Sequence, residues 1–373
     1  MQPTRIFVTG ATGFVGGAMV VELLKQTDAD IFCLTRAADV DAGNARLRPL
    51  LVAAAEAYDE PDVVPSVAAR CHAVAGDLHS DTATLADQLP GTVDLFVHTA
   101  ASLKFADKDA EEIEFTNVGG TANMLDLAKL LEVGLFAHVS TAYVAGSRTG
   151  RIGEDDELPA ADGSNNEYER SKVAGELLVR QSGRPWIVLR PSIVVGHSRT
   201  LAATSFSGMY GMMDELIRFR SEVEARLGSL LKHQSVRVLA APEARLNLVP
   251  IDYVARAGVA ACLSGEPGKT YHLANATPPS AKDCLDVGFD MIELSRPRFA
   301  LRADQLNQID RSLQTEFYDT YLRSDKQFDL TNTEAAAGAG AMNAPIDSAR
   351  VREYLEWYLA SGYKRGQRMA AAE

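Results

Sequence analysis

Tyr168 and Lys172 stand four residues apart in the stretch NEYERSKVAGE, residues 166–176. In a helix that spacing sets phenol and ammonium on one face. An ammonium beside a phenol favours the phenolate and draws its pKa from about 10 towards neutrality. A tyrosine so tuned is a general acid at working pH. The pair alone is weak, because 11 tyrosines in 373 residues make a chance Tyr-x-x-x-Lys ordinary. Its meaning depends on what the chain builds around it. The run HVSTAY (138–143) brings a third polar group, the hydroxyl of Thr141, to the end of an apolar segment.

The elements that must position these groups read as strands alternating with helices. Short apolar runs at Arg5–Thr9, Asp30–Thr35, Cys71–Ala75, Leu95–Thr99, Phe136–Ser140 and Trp186–Arg190 predict strands. Gly13–Lys25, Asn117–Leu131 and Tyr168–Arg180 have helical spacing. Nearly continuous apolar strands between helices predict an α/β fold, a doubly wound parallel sheet covered on both faces. In that arrangement Thr141 ends the fifth strand and Tyr168 opens the helix that follows.

The pattern changes after Gly196. FSGMYGMMDELIRFRSEVEARLGSLL predicts a helical insertion within 198–245, and the first pattern returns in 246–278 with a helix in IDYVARAGVAACL and a strand in KTYHLAN. Residues 1–197 and 246–278 are expected to form a Rossmann domain. Residues 198–245 and 279–373 form a smaller, mostly helical substrate-binding region that ends in the helix SARVREYLEWYLASGY.

A dinucleotide site is expected at the end of the first strand, TGATGFVG. Gly10, Gly13 and Gly16 suit a tight turn, backbone approach to a pyrophosphate, and close helix–strand packing, with Thr12, Phe14 and Val15 between and beside them. The helix that follows aims its free N–H groups at the pyrophosphate. The second strand ends in Thr35 and Arg36, where proteins specific for NAD place an acid for the ribose 2′-hydroxyl. Arg36, with Arg46 as a second candidate, would pair with a 2′-phosphate instead, so NADP (as NADPH) is the expected cofactor. Asp77 and Leu78 of AGDL suit the adenine, and Thr99, Ala100 and Ala101 of HTAA suit ribose and phosphates, at carboxyl ends of strands where open α/β sheets bind ligands. His98 reads as a core histidine.

The bulk properties narrow the class. A net charge of −13 argues against a nucleic-acid or anionic-membrane surface. No apolar run approaches the roughly 20 residues needed to span a bilayer, and MQPTRIFVTG enters a strand with no signal-like segment. The four cysteines show no metal-ligand spacing, so no metal is expected; they read as free thiols in a reducing cytoplasm.

TGATGFVG, GDL, HTAA, TNVGGT, VSTAY, YERSK and RPSIVVG occur in the order seen in the extended short-chain dehydrogenase/reductases, and the chain resembles that family from about residue 5 to 276. The resemblance implies that Thr141, Tyr168 and Lys172 form the catalytic set. It further implies that Asn117 supports a water-linked proton relay and that Pro191, Ser192 and Ile193 hold the nicotinamide carboxamide. Asn117 also reads as a helix N-cap. HVSTAY, LKF, RPSIVVG, LNLVPIDYVARA and YHLANATPPS are similar to the fatty acyl-CoA reductase and thioester reductase branch. That likeness implies hydride transfer from NADPH to an acyl-CoA or carrier-protein thioester, giving an aldehyde, with a second hydride to the alcohol left open. Another reductase or epimerase of the same superfamily, acting on a ketone, an alcohol or a nucleotide sugar, stays open, as does a non-catalytic dinucleotide sensor. Thr141 is followed by Ala142 and Tyr143, so the acidic pair of sugar-nucleotide dehydratases is missing.

Phe206, Met209, Tyr210, Met212 and Met213 read either as an acyl pocket or as the core face of a helix. Lys104 is a candidate for a phosphopantetheine phosphate, with a solvated surface lysine as its alternative, and GEDDELPAADGSNNE (153–167) reads as a solvated flap.

Overall fold

A computed structural model describes residues 2–228, 234–313 and 316–361. The last positions of two expected helices, 229–231 and 362–363, lie outside the described residues. Two compact units emerge: Met1–Ser205 with Val249–Ala276 and Phe328–Asn343, and Phe206–Leu248 with Thr277–Gln327 and Ala344–Glu373.

The first unit is built on a seven-stranded parallel sheet. Its strands are β1 (Arg5–Thr9), β2 (Asp30–Thr35), β3 (Cys71–Ala75), β4 (Leu95–His98), β5 (Leu135–Val139), β6 (Trp186–Pro191) and β7 (Lys269–Leu273), in the spatial order 3-2-1-4-5-6-7. All six pairings are parallel. The order reverses between β1 and β4, which puts a ligand crevice at the carboxyl ends of these two strands. Helices α1 (Phe14–Gln26), α2 (Val40–Ala57), α3 (Gly120–Leu130), α4 (Glu167–Gln181) and α6 (Ile251–Ser264) flank the sheet. Phe7, Phe96 and Phe136 meet in register across β1, β4 and β5, with ring centroids 4.7 and 4.8 Å apart. Each is fully buried, worth about 1.5–3 kcal/mol per side chain.

The starts of two helices matter most for the site. Asn166 caps α4 by accepting from the Glu169 N–H at 2.9 Å, and Glu167 and Glu169 place acid in the first turn, where the helix dipole favours it. The segment expected to be helical from Asn117 begins differently. Phe115–Gly119 form a π-helical turn ahead of α3, so Asn117 lies inside a widened turn and is not an N-cap. Such turns occur frequently at functional sites.

Segment 328–343, expected in the smaller region, clusters with the first unit. One tie is Glu154, whose carboxylate is buried and accepts from the His272 N–H (2.8 Å), the Thr333 N–H (3.2 Å) and hydroxyl (2.7 Å), and the Asn332 N–H. These bonds bind α8 (Thr331–Ala337) beside β7, and they correct the picture of 153–167 as a wholly solvated flap.

The second unit contains α5 (Met209–Leu227), α7 (Ala281–Met291), α9 (Ser348–Ala360) and a parallel strand pair, Arg237–Leu239 with Arg298–Ala300. Met209, Tyr210 and Met213 are 3%, 1% and 1% exposed. Tyr210 packs against Phe206 and Tyr358, with centroids 5.7 and 5.1 Å away. Met209, Tyr210 and Met213 lie on the buried face of α5, the helix-core alternative for this stripe, while Phe206 precedes the helix and is half-buried.

Candidate active site

At the carboxyl end of β1 the chain forms a cradle that excludes side chains. Gly10 has φ +73°, and a Cβ there would lie 2.4 Å from Thr99 Oγ1 and 2.8 Å from the Ala100 nitrogen. A Cβ on Gly16 would lie 2.2 Å from the Gly10 carbonyl oxygen. Gly13 precedes α1 and supplies no side-chain cap, so the first N–H groups of this 13-residue helix stay available to an anion. The cradle fits a dinucleotide pyrophosphate. Thr12 is exposed at its mouth, Phe14 and Val15 are half-buried, and Ala100 and Ala101 follow β4 on the same rim.

Asp77 is exposed beyond β3 and closes its own turn, accepting from the His79 N–H at 2.8 Å, while Leu78 beside it is buried. Asn123 donates to the Leu78 and Ser80 carbonyls, both at 2.9 Å, an anchoring role that sequence alone did not suggest. Arg36 is exposed past the end of β2, and Arg46 donates to its carbonyl oxygen at 3.0 Å. Neither guanidinium makes an ion pair among the described residues.

The ends of β5 and β6 and the first turns of α4 converge. Lys172, 4% exposed, donates its ammonium to the Val139 carbonyl at 2.7 Å. Thr141 donates to the Pro191 carbonyl at 3.4 Å and accepts from the Tyr143 N–H at 3.2 Å. Tyr168 is half-buried, and its ring packs on Phe105 at 4.9 Å. Ser192 is buried and Ile193 half-buried just past β6. Asn117 accepts from the Ser102 N–H (2.7 Å) and donates to the Ser102 carbonyl (3.1 Å) and the Ser171 hydroxyl (2.9 Å). It therefore ties the loop after β4 to the helix carrying Tyr168 and Lys172.

Burial dominates the electrostatics. The Lys172 ammonium is pushed down to about 8 by desolvation, partly offset by the Glu176 carboxylate. The Tyr168 phenol is raised above its ordinary value by burial and then by Glu169. This corrects the expected lowering: Lys172 points to Val139, so desolvation of the phenolate wins. His98 is a satisfied core histidine. Its Nδ1 meets Thr9 Oγ1 at 2.8 Å and its Nε2 meets Thr121 Oγ1 at 3.1 Å, while the Thr121 hydroxyl donates to the Asn117 carbonyl at 2.6 Å. Burial holds it down to about 3, so it stays neutral.

Lys104 is not drawn into this constellation. Its ammonium pairs with Glu112 at 2.5 Å and Asp109 at 3.5 Å on an exposed surface. No cluster of three or more metal-ligating side chains occurs among the described residues, and no described helix is long and apolar enough to cross a membrane.

Comparison with known proteins points the same way. Residues 8–258 match the family described as male sterility protein. The L-2-aminoadipate reductase of Saccharomyces cerevisiae is 28% identical over 348 residues, covering 84% of this chain and 23% of the yeast protein. The chain thus spans less than a quarter of that curated relative's length. The terminal R domain from the myxalamid PKS-NRPS biosynthetic pathway is 26% identical with a TM-score of 0.74, covering 98% of this chain and 93% of that one. A thiolation-reductase di-domain from an archaeal non-ribosomal peptide synthetase shares the fold, at 18% identity and TM-score 0.71 over 96% of this chain and 76% of that one.

Proposed function

The chain belongs to the male sterility protein family, within the thioester reductase-like branch of the extended short-chain dehydrogenase/reductases, and from that premise we propose that it reduces an acyl thioester to an aldehyde with NADPH. The observation that supports this reading is that Thr141 and Lys172 bond to the ends of β6 and β5, with Tyr168 one turn before Lys172 on α4, in a sheet whose β1 ends in a glycine cradle that excludes side chains. NADPH, held by the glycine cradle, would supply the hydride for the thioester carbonyl carbon. The Tyr168 and Thr141 hydroxyls stabilise the oxygen as it gains charge, and Tyr168 delivers the proton. The Lys172 ammonium would hold the ribose end of the cofactor and favours the tyrosinate that remains. The resulting hemithioacetal breaks its C–S bond, releasing thiol and aldehyde.

Arg36 and Arg46 support NADPH over NADH, since a 2′-phosphate gains charge-assisted bonds there and no acid repels it. The names of the yeast reductase and of the R and thiolation-reductase domains support a thioester delivered by a carrier protein, with acyl-CoA as the other donor. Four free, buried cysteines fit a reducing cytoplasm.

The test is NADPH oxidation by the purified chain against acyl-CoA and acyl-carrier thioesters, with a trap for aldehyde. Thioester-dependent oxidation with trapped aldehyde is the expected result. Turnover of a free alcohol with NADP⁺, and none with thioesters, would overturn it in favour of a ketone, alcohol or nucleotide-sugar substrate.

A further inference from the structure

On α4 a third ionisable residue continues the face that carries Tyr168 and Lys172: Glu176, one further turn along. It is fully buried, and so is the residue that grips it. Arg190 donates through Nε to one carboxylate oxygen at 2.9 Å and through Nη2 to the other at 2.8 Å. Arg180 approaches the second oxygen at 3.4 Å, while the nearby Ser140 hydroxyl is buried without a hydrogen-bond partner. On its far side Arg190 faces His272 Nε2 at 3.5 Å; His272 meets the Asp329 carbonyl through Nδ1 and is held down to about 4 by burial, hence neutral.

Ser140 and Arg190 stand directly before site residues. Ser140 separates Val139, which receives the Lys172 ammonium, from Thr141. Arg190 precedes Pro191, whose carbonyl receives the Thr141 hydroxyl. One carboxylate therefore bonds the helix carrying the tyrosine and lysine to the strand end carrying the Pro191–Ile193 segment, whose Pro191 carbonyl receives the Thr141 hydroxyl. We propose that Glu176 is a positioning residue: its carboxylate, locked by Arg190, registers these two elements against one another and sets the charge that Lys172 faces. The inference rests on the catalytic reading of Tyr168 and Lys172 given above.

Burying a charged pair is a poor way to gain stability, since well-packed apolar residues of similar volume often do as well. Its placement one turn from Lys172 gives it a consequence that packing alone lacks. The titratable groups facing Lys172 are Tyr168 and Glu176 from its own helix, and His98 and His138 from β4 and β5, both held neutral by burial. Glu176 is the anionic member of this set at neutral pH, so its removal leaves desolvation of Lys172 unopposed.

The experiment uses the full chain and compares wild type with the double variant Glu176→Gln/Arg190→Gln, which keeps a hydrogen-bonding pair in nearly the same volume, and with Glu176→Asp. NADPH affinity is titrated by fluorescence from pH 6.5 to 10.5, with turnover of a thioester measured in parallel. The wild type should lose affinity above about pH 8 as Lys172 deprotonates, and in the double variant that midpoint should move down by about one pH unit. At pH 7 its affinity should stay within about twofold of wild type while kcat falls at least about tenfold. Glu176→Asp should recover part of both changes, and it decides the matter alone if the double variant does not fold. An unshifted midpoint in folded variants, or no alkaline fall in the wild type, overturns the inference. Absence of thioester turnover in the wild type overturns the proposed reaction instead, and the binding titration still decides the role of Glu176.

Discussion

The ammonium of Lys172 lies 2.7 Å from the carbonyl oxygen of Val139, two residues before Thr141 on the same strand end. Helix and strand are thereby joined through the lysine, and Tyr168 is carried one turn earlier on the same helix. Phenylalanine at position 168 keeps the ring that packs on Phe105 and removes only the hydroxyl. Tyr168→Phe should lower kcat by about 10²–10⁴-fold, the range for a lost general acid, with cofactor affinity unchanged. Stopped-flow hydride transfer and a cofactor titration on one preparation check both halves.

The Lys172 ammonium, held down to about 8 against an ordinary 10.5, sets an alkaline limit on catalysis. Below that value the lysine is charged and supports the tyrosinate; as pH rises through it, the charge and the rate are lost together. A profile of kcat/KM from pH 6 to 10 should show this limb near pH 8, well before an unperturbed lysine would titrate. A flat profile to pH 10 would count against the assignment.

Arg36 presents an exposed guanidinium past the end of β2, and Arg46 braces its carbonyl. Arg36→Ala should raise the KM for NADPH by roughly ten- to a hundredfold, corresponding to about 1.5–3 kcal/mol for a hydrogen bond to a charged group. The KM for NADH should change by less than about twofold, because no phosphate is lost. Equal effects on both cofactors would show that the arginine serves the loop and not the 2′-phosphate.

Glu154 tests the packing of 328–343. Its buried carboxylate accepts four donors from β7 and α8, and burial raises its pKa against their opposing effect. Glu154→Ala leaves the three N–H donors without that acceptor, while the Thr333 hydroxyl keeps the His272 carbonyl, and should destabilise the chain by about 1–3 kcal/mol or more. Urea unfolding should show this as a lower midpoint, with protease cleavage appearing first near 328–343.

Much of the first unit was legible because its determinants are local. The bounds of β1, β2 and β3 are those the apolar runs predict, since a strand buried on both faces needs an uninterrupted apolar segment. The glycine cradle was equally legible, because backbone approach tolerates no Cβ and the requirement is written in residue type. Helix α2 was missed: its exposed, charge-rich face and Pro49 obscure the period, and only packing against β3 and α1 makes it a helix. The fate of Met209, Tyr210 and Met213 was undecidable from spacing, because the core face of a helix and the wall of an apolar pocket share one pattern. Thr141, Tyr168 and Lys172 could be named from their motifs, but their pKa directions depend on desolvation, which arises only when the sheet, α4 and the Glu176–Arg190 pair close around them. Residue types at fixed spacing determined which groups can do the chemistry. The tertiary structure decided how strongly each is charged, because burial is a property of everything that surrounds it.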